Sequence, residues 1–383
     1  MMENHSFDNY LGMLGRGDGF RLDATGRPTN ANPDANGKLV SAFHLANTCQ
    51  LPRVPSQAWN ASHEQWNHGR MDGFVRSDSG PVSMGYWNGD DLAFYYDLAR
   101  AFPLCDRWFG SCLAQTYANR RFFLAGTARG NIRTIADTLT DPPPPNGTIM
   151  EALNRHSIPW RNYFTDLPTT ALWPYVVGDN ADKVLDIKEF FRDAASGKLP
   201  AFSLVDPNFD HGSEENSEDI TRGEAFVAKV VNAVMHSPNW PRTVLVWCYD
   251  EHGGYYDHVA PPAAPAPDSM QPKLIAGDVP GGYDRLGFRV PAVVVSPFAR
   301  KNYVSSVVRD HTTVLALLEH KFNLPALTHR DGWAEDLTDC LDFDNAPAFL
   351  TPPLLAPSRN NHLFGPDGTP APICTTAPPL PVA

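Results

Sequence analysis

Cysteine is scarce in this chain and is placed badly for chemistry. Its six cysteines, Cys49, Cys105, Cys112, Cys248, Cys340 and Cys374, lack the close pairs that a zinc site or a redox dithiol requires. Cys248 lies in an apolar run, as a buried thiol does, and the spacing assigns no disulfide. Positive charge is also short: 31 Lys and Arg face 43 Asp and Glu, for a formal charge of −12, and no segment has the basic density of a nucleic-acid-binding patch. Nucleic acid is therefore not expected as a partner, although nucleotides stay open. Long apolar runs are missing as well. No window reaches the ~18 residues of a membrane span, and the opening MMENHSFDNY lacks the basic-then-apolar order of a secretory signal. As written, the chain reads as soluble and carries no address.

What is present is a globular composition, 42% hydrophobic and 19% charged, long enough for one large α/β domain or two ordinary ones. The 36 prolines gather at residues 141–145, at 261–272 and after Ala346. The first two gatherings predict long loops, and the last predicts an extended or disordered tail over 346–383. Between them, apolar strand patterns at 201–205, 243–248 and 290–295 alternate with helical patterns at 184–195, 222–235 and 312–322. This alternation predicts a mostly parallel central sheet sandwiched by helices. Thr221 and Glu224 fit a capping box at the start of one helix, and Asp310 is placed to cap another. No internal repeat and no boundary divides residues 1–345.

Three segments carry the chemistry. The first, DEHGGYYDH at 250–258, directly follows the strand pattern 243–248, and ligands of open α/β sheets sit beyond such strand ends. A turn through Gly253 and Gly254 can bring Asp250 and Glu251 to one cation; the plain alternative is a solvated acidic turn. The second, ENHSFDNY at 3–10, offers hard ligands from Glu3 and Asn4, and by itself reads equally as an exposed N-terminus. In the third, QTYANRR at 115–121, Thr116 stands at a helix start, where free amides and the helix dipole favour a phosphoryl group. Arg120 or Arg121 there could grip phosphate oxygens, whereas a simple N-cap threonine is the commoner use of that position.

Together, in order and approximate spacing, these segments resemble the phosphoesterase family of non-specific phospholipases C and related acid phosphatases. The resemblance spans ENHSFDNY, SHEQWNHGRMDGF at 62–74, CDRWFGSCLAQTYANR at 105–120, residues 222–262 around DEHGG, and residues 289–322. It implies the alkaline phosphatase and sulfatase superfamily fold, and no Cys/Ser-x-Pro-x-Arg pattern points to the sulfatase branch. It also implies one divalent metal ion, its identity open among Mg, Ca, Mn, Zn and Fe, held by Glu3, Asn4, Thr116, Asp250 and Glu251. Thr116 is then the nucleophile, His63 meets the phosphoryl group and His211 protonates the leaving group. Asn119, Arg120 and His258 fall to the substrate, and the Asp310-His311 pair to a supporting role.

Residues 1–345 form the catalytic unit in this reading. Only Met1 and Met2 stand where family members carry an apolar strand, so the first strand reads as shortened, and the resemblance allows a secreted or periplasmic protein. The first expected activity is phospholipase C cleavage of a membrane phospholipid such as phosphatidylcholine. A broad phosphomonoesterase comes second, and an inactive phosphate-ester or lipid-binding relic third. No protein partner is implied. Trp59, Trp66, Tyr86, Trp87, Tyr95 and Tyr96 either line a lipid-accessible mouth or fill the core.

Overall fold

A computed structural model describes residues 1–45, 47–50 and 54–359. Its central strand, Ala292–Val295, is Ala-Val-Val-Val with every side chain buried, the pattern of a strand covered on both faces. It pairs with Leu245–Cys248 on one side and with Leu104 of the Leu104–Cys105 strand on the other. Val304–Ser305 completes this four-stranded sheet. A second sheet sets Trp160–Phe164 between Val184–Asp186 and Phe202–Val205. Helices Thr116–Ala125, Ile220–Met235 and Thr313–Phe322 bury most of their apolar side chains against this framework.

The expectation of a mostly parallel sheet holds in part. The three-stranded sheet is wholly parallel, but Ala292–Val295 runs antiparallel to both neighbours. For the Leu245–Cys248 neighbour the connection accounts for this: a parallel return usually runs through a helical crossover, and residues 249–291 contain no helix.

Three local expectations are corrected. Residues 184–195 are not one helix: Val184–Asp186 pairs with the Trp160 strand, and Asp186 then caps Ile187–Ser196 by accepting from Lys188 N. The Thr221–Glu224 capping box does not form. Asp219, an anionic acceptor two residues earlier, takes the Thr221 amide, and Glu224 turns away to accept the Phe94 and Tyr95 amides at the start of Ala93–Ala101. Asp310 is not the N-cap of Thr313–Phe322, a place held by Thr312; it accepts from Thr312 N at 3.0 Å and faces Arg330 at 3.2 Å.

The proline stretches at 141–145 and 261–272 are loops, and residues 346–359 run without helix or strand. Phe349 nevertheless packs on Phe102 at 4.7 Å and accepts from Trp240 Nε1. The rest of the predicted tail lies outside the described residues. Cys105, Cys112, Cys248 and Cys340 are free and buried, as foreseen for Cys248. Among the described residues no helix is long and apolar enough to cross a membrane.

Candidate active site

The N-terminal residues lie alongside the end of the Leu245–Cys248 strand. Met2 N donates to the Cys248 carbonyl at 2.9 Å, and Asp250 N donates back to Met2 at 3.1 Å. This pairing sets Glu3 and Asn4 beside Asp250 and Glu251, although some 250 positions of sequence separate them. The chain then turns through Gly253 and Gly254, at φ of 63° and 80°, a conformation that favours glycine. A Cβ on Gly253 would stand 2.6 Å from Asn4 Oδ1, so the close approach of the two segments also requires glycine.

Neighbouring groups hold this loop from several sides. Asp250 Oδ1 accepts from Glu251 N, and Glu251 Oε2 accepts from Gly253 N, both at 2.8 Å. His252 reaches Gln65 Oε1 at 2.7 Å, which ties the helix Trp59–Trp66 to the loop. Trp108 Nε1 donates to His311 Nδ1, so His311 donates from Nε2 to the Asp250 carbonyl at 2.6 Å.

Arg120, buried to 2% exposure, is clamped among the acids. Its Nε donates to Asp250 at 2.9 Å, and one terminal nitrogen reaches Glu3 and the Met2 carbonyl, each at 3.2 Å. The other terminal nitrogen meets Thr169 Oγ1, and Phe209 covers the guanidinium face. Burial acts against its charge, but Asp250 and Glu3 hold its pKa above the ordinary arginine value. Burial pushes the Glu3 carboxyl well up despite Arg120. Glu251 is pushed up by burial and then by the charges of Asp250 and Glu215.

Asn4 Oδ1 and Glu251 Oε1 are buried without a hydrogen-bond donor. Buried polar oxygens are rarely left so, and two of them beside Glu3 and Asp250 make a donor set whose chemistry suits a hard cation. The carboxylates line one place without closing on a point. Among the described residues, the acidic and histidine donors that all fall within 4.8 Å of one another are Asp8, Asp257 and His258. That group already has a counter-charge: Arg289 donates to Asp257 at 2.9 Å and to Asp8 at 3.1 Å.

The remaining predicted residues divide. Thr116 is the first residue of its helix, 8% exposed, one turn before Arg120 and on the same helical face. Asn119 spends its carboxamide on the loop before Thr116: Oδ1 accepts from Ser111 N and Cys112 N, and Nδ2 donates to the Ala114 carbonyl at 2.7 Å. Its amide is thus engaged in shaping the loop. His63 donates from Nδ1 to the Trp59 carbonyl at 2.8 Å and lies on the Trp59 ring. Trp59 in turn packs with Ala114 and Ala118 beside the Thr116 helix start. His211 is exposed, two residues beyond Phe209. His258 lies between Asp8, at 2.6 Å, and Asp18, at 3.2 Å, outside the group around Arg120.

Reading the sequence missed the acidic string Glu214, Glu215 and Glu218. Glu214 is fully buried and accepts from the hydroxyls of Tyr10, Tyr95 and Tyr249. Glu215 Oε2 accepts from Asn4 Nδ2 at 2.6 Å. The only signal in the sequence was the charge run itself, which reads as a solvated loop. The aromatic residues Trp59, Tyr86, Trp87, Tyr95 and Tyr96 are buried, which leaves Trp66, partly exposed beneath Arg285, as the one member of the predicted lipid mouth with a wet face.

Comparison with known proteins follows the same line as these motifs. Non-specific phospholipase C6 of Arabidopsis thaliana is 31% identical, over 94% of this chain and 75% of that protein. Non-hemolytic phospholipase C of Pseudomonas aeruginosa is 30% identical over 90% of this chain, which spans 56% of that longer protein. A solved alkaline phosphatase superfamily protein from Vibrio parahaemolyticus aligns over 86% of this chain and 77% of that one, at 13% identity and a TM-score of 0.40. The description of the phosphoesterase family matches residues 1–325, nearly the whole of the described chain. By that match and those relatives, the chain belongs to the phosphoesterase family and is a hydrolase of phosphoric esters.

Proposed function

We propose that the protein is a metal-dependent phospholipase C, cleaving phosphodiester phospholipids such as phosphatidylcholine through a phosphothreonyl intermediate. The observation that carries this reading is the position of Thr116, at the open end of its helix and one turn from the arginine that grips Glu3 and Asp250. Glu3, Asn4, Thr116, Asp250 and Glu251 would hold a divalent cation, which when bound supplies Lewis acidity and lowers the pKa of a coordinated hydroxyl.

Thr116 Oγ gives up its proton to water and forms the new bond to phosphorus as the bond to the glyceryl oxygen breaks. His63, beside the helix start, is assigned to the phosphoryl oxygens. His211 is assigned to protonating the departing diacylglycerol by the family resemblance alone; it lies two residues beyond Phe209, which covers Arg120. Water then hydrolyses the phosphothreonine and frees the phosphorylated headgroup. The phospholipase C names of the relatives support the substrate class.

The test compares p-nitrophenylphosphorylcholine with p-nitrophenyl phosphate, with and without chelator, for wild type and Thr116→Ala. The expected result is preference for the choline diester, loss of rate on chelation, and a fall on the order of 10⁴-fold or more in Thr116→Ala. Undiminished turnover in Thr116→Ala removes the covalent step. Preference for the monoester makes the protein an acid phosphatase, and inactivity on both with cation supplied leaves a binding protein.

A further inference from the structure

Beyond the five expected ligands, the site holds a carboxylate that the family resemblance did not supply. Glu215 Oε2 accepts from Asn4 Nδ2 at 2.6 Å. This bond fixes which way the Asn4 amide faces, and leaves Oδ1 buried without a partner beside Gly253. Gly253 N is itself bonded to Glu251, whose other oxygen is the second buried atom without a partner. Two unsatisfied acceptors thus lie on the Gly253 side of the cluster, one of them oriented by Glu215.

The segment that carries Glu215 is unusually well fixed. Glu214 adopts a φ of 77°, a backbone state costly for a residue with a side chain. It is held there by three tyrosine hydroxyls on its carboxylate, and by Gln50 Nε2 and His5 Nε2 on its carbonyl. Glu218 accepts from Ser213 N at 3.1 Å and Glu214 N at 3.2 Å, which closes the turn. Such anchoring leaves the neighbouring Glu215 carboxylate little choice of position.

We propose that Glu215 is an anionic member of the cation site, which orients the Asn4 carbonyl oxygen toward the ion and adds its own negative charge to the binding energy. Groups that orient metal ligands commonly govern affinity by about 10- to 100-fold. The proposal rests on the metal-dependent reading above, and its test separates the two.

The full chain is stripped with chelator and titrated with Mn²⁺ alone, by calorimetry and by bound-metal electron paramagnetic resonance, for wild type, Glu215→Gln and Glu215→Ala. Gln keeps an acceptor for the Asn4 amide and removes only the charge. Thermal melting of each apo protein checks that it is folded. Affinity should fall about 10-fold or more in Glu215→Gln, and further in Glu215→Ala. Mn²⁺ affinity within twofold of wild type in a folded Glu215→Gln overturns the proposal and leaves the metal-dependent reading standing. Absence of stoichiometric Mn²⁺ in the wild type itself overturns both.

Discussion

Arg120 shows how one residue can serve fold and site together. Its guanidinium is the counter-charge nearest to two buried acids, and neither Glu3 nor Asp250 can recover water if it is removed. Breaking a buried ion pair from one side costs about 3–5 kcal/mol. Arg120→Met should therefore destabilise the metal-free protein by about that much in urea denaturation, and a divalent cation should recover part of the loss. An unchanged urea midpoint would mean that the contacts of Arg120 with Glu3 and Asp250 contribute nothing to the stability of the fold. At this scale the sequence was informative where chemistry and adjacency coincide, as in Glu3-Asn4 and Asp250-Glu251. It was silent on Glu215, whose contact with Asn4 spans 211 positions, and it assigned Arg120 and Asn119 to the substrate although both are engaged by protein groups.

Among the elements, the Ile220–Met235 helix illustrates a competition that propensity alone does not resolve. A Thr-x-x-Glu pattern and an aspartate two residues ahead of it both offer a start, and the aspartate wins because its carboxylate reaches the Thr221 amide. Asp219→Ala should cost about 1 kcal/mol of stability and Thr221→Ala clearly less, measured by urea denaturation of the two variants side by side. Equal losses would restore the threonine as the cap. The Glu224 side chain, unused at the start of its own helix, caps the start of Ala93–Ala101 instead, a contact made only once the two helices pack. The same dependence on packing splits residues 184–195, where Val184 and Leu185 find the neighbouring Trp160–Phe164 strand before the helix begins.

For the molecule as a whole, an acidic chain that buries several carboxyls must become less stable as they ionise. Burial pushes Glu214 up to about 8, Glu224 to about 7 and Glu319 to about 9. In the unfolded chain these groups lose their protons near the ordinary value of ~4.3. Between that value and the folded ones the native state holds more protons, so stability falls as pH rises. His5 and His252, kept neutral by burial with values of about 3, act oppositely and lose stability as pH falls below ~6.5. Above that point the histidines contribute no slope. The thermal midpoint in chelator should therefore fall by several degrees between pH ~6.5 and ~8.5; a flat or rising midpoint would show that these carboxyls are already ionised in the native protein.

The sequence by itself determined the family, the strand that ends in DEHGG, and the residue types of the candidate site, because each is written in a short, contiguous run whose periodicity or chemistry is local. Tertiary structure alone decided the direction of the central strand, the engagement of Arg120 and Asn119, the burial of the aromatic residues and the presence of Glu215 beside Asn4. These depend on which distant segments meet, and a contact between residues far apart in the chain leaves no local pattern to read.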